Sequence, residues 1–447
     1  MVDVLPSTAV RLLARVARAQ RDGRIPSVVA GVFRDGALAW SGARGAVPGR
    51  ESGHPAVDVQ YRLGSISKTV TAIAVLRLRD EGLVSLTDRL EQHLPGTPLG
   101  ERTLAELLTH LGGLASETPV PWWERIPGGD LAELGLSDAE AVLPAGRRFH
   151  YSNLGFGLLG TMVARLRGAA WIDVVTAEVL QPLGMTRTTA RPSGVAAQGW
   201  ARHPWADVLQ PEPEYDAGDL APAGQLWATA ADLSALGRFL LGDTGSVLSP
   251  DTVEEMVTPF DGDSRDAGWS SYGLGVQVSH AGGVTLVGHG GSMPGFLAGL
   301  WVDRSAQAGA LVLANVTQGL DHSITRDLLA TLAECEPHVG DEWVPAEPPV
   351  PLSLLGPWYW GPAPFVLKAL PGGLLALDAI GPSGRESRFG PHPTIEGAWI
   401  GLDAYYAGET LRFSENSFNL SSFIFTREPY DPAAPVPGGV SDAGWTV

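Results

Sequence analysis

Strand-forming runs open and close the first three-quarters of this chain, and helical patterns fill the space between them. No other feature restricts the fold as much. Residues 27–34 and 37–44 are β-rich runs joined by Asp35-Gly36, a pair suited to the positive-φ positions of a tight hairpin. Strand character returns only at residues 272–279, 284–289, 296–303 and 310–315. In between, residues 65–81 carry Val70, Ile73, Ala74 and Leu78 on one helical face, with Gly82 just beyond. Residues 103–109, 151–166, 171–180 and 229–241 read as further helical stretches, and residues 4–21 as a helix before the first strand. Strands contributed from both ends meet most economically in one antiparallel sheet, flanked by helices and interrupted by a helical insertion, so the fold class expected is α+β.

Residues 336–351 (EPHVGDEWVPAEPPVP) are rich in proline and acids and read as a linker. After it, residues 352–430 alternate short β-rich runs with Gly, Pro and Asn turns, as a small all-β barrel or sandwich does. The expected organisation is a main domain over residues 1–335, the linker, a β-domain over 352–430 and a flexible tail over 431–447.

Composition excludes several roles. The chain has 447 residues, 44% of them hydrophobic and 18% charged, which supports a sizeable core and argues against disorder. A formal net charge of −18 opposes binding to phosphate backbones or anionic lipid, so neither nucleic acid nor membrane is an expected partner. The longest apolar runs, such as residues 309–316, fall far short of a membrane span. One cysteine, Cys335, rules out a disulfide framework. The N-terminal stretch carries Arg11, Arg15, Arg18 and Arg21 among its apolar residues and lacks an h-region and cleavage site, so a cytoplasmic location is expected.

Only two of the 31 basic residues are lysine, Lys68 and Lys368. Lys68 stands three residues after Ser65 in Gly64-Ser65-Ile66-Ser67-Lys68, where a starting helix places both on one face. A serine hydroxyl needs a base, and an amine beside it serves once desolvation lowers its pKa; arginine cannot take that role. Alone, the spacing equally describes a capping serine and a solvated lysine. A second element is Tyr151-Ser152-Asn153, where a phenol relays a proton and an amide orients the lysine, or where both simply cap and pack a helix. A third is Gly288-His289-Gly290-Gly291-Ser292 between two strands, where glycines admit a substrate backbone to a sheet edge or merely form a turn. No ligand cluster accompanies His289, so no metal is expected, and His54, His93, His110 and His150 read as structural.

Together these motifs resemble the serine β-lactamase and penicillin-binding-protein superfamily, whose markers are S-x-x-K, Y-x-N or S-x-N, and K-T-G or H-x-G. The likeness covers roughly residues 10–335 and is closest to the branch of class C β-lactamases, esterases and D-aminopeptidases. Residues 103–114 (TLAELLTHLGGL), 144–153 (PAGRRFHYSN), 182–186 (PLGMT), 223–233 (AGQLWATAADL) and 272–275 also look like that branch. The later segment is similar to the lipocalin-like β-domain of some members. The resemblance implies Ser65 as the acylated nucleophile, Lys68 as its base, Tyr151 as proton relay, Asn153 as orienting amide and His289 at the third-motif position. It places the backbone N–H groups of Ser65 and Ser292 in an oxyanion hole, beside Gly290 and Gly291, and requires no cofactor. Histidine where lysine is usual removes a permanent cation, which argues against ordinary penicillin hydrolysis.

The function expected is serine acyl transfer on a small-molecule ester, amide or peptidyl substrate, by a cytoplasmic esterase, amidase or D-aminopeptidase. A peptide cyclase like the penicillin-binding-protein-type thioesterases is an alternative, and a non-catalytic binding relative is another. An α/β-hydrolase is excluded, since the nearest approach to G-x-S-x-G, at Ser292, has Pro294 in place of the last glycine. Two further expectations are that Trp122 and Trp123 line an apolar acyl pocket and that Arg427 of the β-domain reads a peptide carboxylate.

Overall fold

The computed structural model describes residues 4–47, 56–97, 99–119, 122–130, 141–260, 269–281, 283–337, 339, 342–381, 386–414, 416–429, 440–441 and 444–445. Most of the tail expected to be flexible, including residues 431–439, lies outside these. The chain divides into two compact units, Met1–Val339 and Gly340–Val447.

The first unit is α+β. Helix α1 (Pro6–Gly23) precedes the hairpin of β1 (Ser27–Arg34) and β2 (Ala37–Gly45), turned at Asp35 and Gly36 with φ of 49° and 74°. Helices α2 (Ile66–Asp80), α3 (Asn153–Arg167) and α4 (Ala230–Leu241) follow. Then come β3 (Trp269–Tyr272), β4 (Gln277–Ala281), β5 (Val284–Met293), β6 (Phe296–Asp303), β7 (Ala308–Ala314) and helix α5 (Ile324–Cys335). Among the described residues the sheet is antiparallel in the order β2-β1-β7-β6-β5-β4-β3, so strands from both ends meet at the β1–β7 pair, Val28 opposite Ala314.

Helices cover both faces of this sheet. Val28, Ala30 and Val32 pack with Leu12, Val16, Leu328 and Leu332 of α1 and α5. Val29 and Phe33, one residue out of step, pack with Val70, Ile73, Leu236 and Phe239 of α2 and α4. Burial on both sides is why these strands read as continuous apolar runs and do not alternate. The run expected over 272–279 is two strands, broken at 273–276 where Gly275 turns with φ 81°. The third motif departs from expectation in the same region. It lies inside β5, which runs to Met293, and the turn falls later, at Pro294-Gly295.

The second unit holds an eight-stranded, closed up-and-down barrel, each strand pairing with the next and Tyr359 of the first pairing with Thr426 of the last. Trp358, Phe365, Leu375, Phe389, Phe418 and Phe425 fill it.

Candidate active site

Ser65 stands at the N-terminal end of α2 with helical backbone angles (φ −61°, ψ −10°), which place Lys68 one turn along the same face. Lys68 Nζ lies 3.1 Å from Ser65 Oγ, 2.7 Å from Asn153 Oδ1 and 2.7 Å from Ala223 O. Lysine 68 is 0% exposed. The rings of Tyr151 and Phe156 lie 4.8 and 5.8 Å from Nζ. Burial disfavours the ammonium and brings its pKa down to about 7, with the more distant Glu117 and Glu124 opposing. Two of the three neighbours, Asn153 Oδ1 and Ala223 O, only accept. A neutral amine therefore donates to both and keeps its lone pair for the Ser65 proton.

Ser152 caps α3, its Oγ accepting from Gly155 N at 3.2 Å, and this fixes Tyr151 just outside the helix and Asn153 in its first turn. Asn153 is oriented from behind. Its Nδ2 donates to Glu117 Oε1 at 2.8 Å, and Glu117 Oε2 accepts from Trp123 Nε1 at 2.6 Å. Tyr151 is partly buried and hydrogen-bonded to Ser65. Burial raises its phenol well above the ordinary tyrosine range, the bond to Ser65 offsetting part of the rise, so the group is an O–H at neutral pH.

On the other side of Ser65, β5 comes unusually close. A Cβ on Gly291 would fall 1.9 Å from Leu63 O, and one on Gly64 would fall 2.5 Å from Ser292 N, so only glycines permit the approach. It sets Ser292 beside the Ser65 turn. His289 is 2% exposed; burial lowers its pKa to about 3, Lys68 adding to the effect and the Gly290 carbonyl opposing it. Its Nδ1 faces Gly290 O, a pure acceptor, and so carries the proton; Nε2 then accepts from Tyr272 O–H at 2.8 Å. The imidazole is neutral with both nitrogens engaged.

Ser65, Tyr151, His289, Gly290, Gly291 and Ser292 all line a cavity of about 620 Å³, and a hollow of about 400 Å³ shares Gln277, Ser279 and Trp301 with it. Arg326 also lines the cavity, exposed and without an acidic partner among the described residues. The two tryptophans do not line it. Trp123 is 5% exposed and belongs to the core, where its indole N–H holds Glu117. Trp122, at φ 54°, is 69% exposed with the Arg125 guanidinium 4.7 Å from its ring. Arg427 is engaged largely within its own unit. Its guanidinium lies 3.8 Å over the Trp358 ring and donates to the carbonyls of Ser353, Leu355 and Pro357 of its own unit, which engages three of its five N–H groups.

Sequence reasoning missed Glu117, Tyr272, Arg326 and the Ala223 carbonyl. Tyr272 and Ala223 fall inside stretches that resembled the superfamily, whereas Glu117 lies just past one and Arg326 has no signal beyond opening a helix. Among the described residues no three His, Cys, Asp or Glu side chains converge on a metal position. No helix among them is long and apolar enough to cross a membrane.

A family model described as Beta-lactamase matches residues 13–334, and one described as Domain of unknown function (DUF7586) matches residues 347–427. Beta-lactamase-like protein 2 of Dictyostelium discoideum is 28% identical over 271 residues, 56% of this chain and 49% of that protein. Esterase EstB of Burkholderia gladioli is 32% identical over 207 residues, 40% of this chain and 50% of that protein. The chain spans about half the length of these curated relatives. The octameric penicillin-binding protein homologue from Pyrococcus abyssi superposes with a TM-score of 0.64 at 22% identity, over 94% of this chain and 99% of that one, a likeness of fold. With a two-ended antiparallel sheet, a serine and lysine on the helix facing it and the family match over residues 13–334, the chain belongs to the β-lactamase family, with the architecture of its serine hydrolases.

Proposed function

We propose that the protein transfers acyl groups through an ester on Ser65, hydrolysing esters, amides or D-aminoacyl substrates. One observation carries this reading: a fully buried lysine whose amine stands 3.1 Å from the serine oxygen, in a setting that brings its pKa down to about 7 and so leaves a substantial share of it uncharged at neutrality. Ser65 Oγ attacks the substrate carbonyl and its proton passes to Lys68 Nζ. The carbonyl oxygen, now an oxyanion, faces the N–H groups of Ser65 and Ser292. As the carbonyl re-forms, the leaving group takes a proton from Tyr151 O–H, and Lys68 restores that proton by way of the hydrogen-bonded network. Water then attacks the acyl-enzyme by the reverse path. A neutral His289 gives a β-lactam carboxylate no permanent cation at the third motif, and among the described residues the cation that lines the cavity is Arg326 instead.

A second reading is release of a peptidyl group by its own amine to give a cyclic product. It is favoured by the size of the cavity and its adjoining hollow, about 620 and 400 Å³, more than a short acyl ester fills. A reducing, cytoplasmic location is part of the proposal and rests on the single cysteine.

Intact mass after brief exposure to an activated short-chain ester, a penicillin and a D-configured peptidyl thioester tests both readings, with Ser65→Ala as control. Ester or thioester adducts that vanish in the control are expected. A cyclic product from the thioester selects the second reading, and no adduct from any probe overturns acyl transfer.

A further inference from the structure

Tyr151, Ser152 and Asn153 rest in a cradle formed by residues 110–117. Asn153 N donates to Ser116 O at 2.9 Å and Ser152 Oγ to Ala115 O at 2.7 Å. His110 supplies the contacts on either side of Tyr151: its carbonyl accepts from His150 N at 2.9 Å and its Nδ1 from Ser152 N at 3.0 Å. Its ring forms the floor, 4.3 Å from the Tyr151 ring and 4.6 Å from that of Tyr272.

Two features of His110 are unfavourable for a residue that only fills space. Its backbone is left-handed, φ 60°, a region that costs any residue with a Cβ, though histidine, like asparagine and aspartate, enters it more readily than most. Its Nε2 is buried without a hydrogen-bond partner. Because Nδ1 accepts an N–H, the neutral ring carries its proton on that unpartnered Nε2. Burial, reinforced by Lys68, keeps the ring neutral. A leucine or phenylalanine would fill the same space without an unpartnered ring nitrogen, but would leave the buried Ser152 N–H without its acceptor. What the histidine adds is an acceptor for Ser152 N–H and a flat ring against the phenol, both acting on the residue that delivers the leaving-group proton.

We infer that His110 is a positioning residue for Tyr151, clamping the residues on both sides of it and seating its ring so that the phenol stays against Ser65. The inference rests on the acyl-transfer reading and adds a residue that does not touch substrate. It predicts a specific signature. A nitrophenolate departs with little need of a proton, whereas an alkoxide or an amine needs one, so losing the phenol's placement slows the second kind of substrate more than the first.

The test compares kcat/KM for a nitrophenyl ester and an alkyl ester or anilide of the same acyl group. The proteins are wild type, Tyr151→Phe, His110→Ala and His110→Asn. In His110→Ala the alkyl ester or anilide is expected to lose about ten- to a hundredfold more than the nitrophenyl ester, the same bias as in Tyr151→Phe but smaller. Asparagine tolerates the left-handed backbone and offers an oxygen to Ser152 N–H, so His110→Asn recovers part of the loss. It also keeps the test valid if His110→Ala folds poorly. Equal losses on both substrates, or no loss, in His110→Asn and in any folded His110→Ala overturn the inference while Tyr151→Phe retains its bias. If Tyr151→Phe shows no bias, the proton-relay step of the proposed function fails, and this inference with it.

Discussion

The two lysines of this chain stand in opposite surroundings. Lys368, on the barrel surface, pairs with Asp378 at 2.6 Å, and that hydrogen bond raises its pKa above the ordinary lysine value. Lys68, in the interior of the first unit, meets only neutral oxygens at hydrogen-bond distance, and burial takes its pKa down to about 7. The partner decides the outcome. A carboxylate locks an ammonium in its charged form, whereas carbonyl and amide oxygens satisfy either protonation state and leave desolvation to choose. In a chain that otherwise uses arginine for its cations, the lysine that must lose a proton is the one without a counter-ion.

Substitutions at the two lysines and around them are expected to differ accordingly. Ser65→Ala removes the acyl acceptor and is expected to cut turnover of an activated ester by about ten thousandfold or more, read by steady-state rates and by the absence of an adduct in intact mass. Lys68→Arg keeps a cation but loses the base, for an expected loss of about a thousandfold, while Lys368→Arg leaves both rate and melting temperature unchanged. Equal effects at the two lysines would show that the missing counter-ion at Lys68 has no bearing on catalysis.

Glu117→Gln is a smaller change with a definite sign. The Glu117 carboxylate favours the Lys68 ammonium, so its removal lowers the Lys68 pKa further. The midpoint of the rising limb of the pH–rate profile then moves to lower pH, and an upward movement would show that Glu117 acts on Lys68 in some other way. Arg427→Ala should have the least effect on Ser65 acylation, because the guanidinium is engaged by carbonyls of the barrel; denaturant titration should show the barrel weakened by about 1–2 kcal/mol.

What was legible in the sequence follows from how local each feature is. Three residues along one helix suffice to bring Ser65 and Lys68 together, so their proximity was legible from spacing, and the two later motifs gave it meaning. The Asp35-Gly36 hairpin and the strands at both ends were legible for the same reason, each being set by a short window. Contacts made across the chain were not. Glu117 reaches Asn153 over 36 residues, and the Ala223 carbonyl that holds Lys68 is a backbone group with no identity of its own. Adjacent residues with one composition also parted. Trp123 turned into the core and Trp122 out to solvent, because the left-handed backbone at Trp122 redirects the chain. Arg427 looked free in sequence, but the barrel closure brings Trp358 and three carbonyls around it.

Activation of Ser65 by an uncharged Lys68 should show in the pH dependence of Ser65 acylation by an activated ester. The rate of adduct formation would be followed by intact mass under single-turnover conditions. A rise with a midpoint near 7, absent in Lys68→Arg, is the predicted result. A midpoint near the ordinary lysine value, about 10.4, or a profile that Lys68→Arg leaves unchanged, would contradict it.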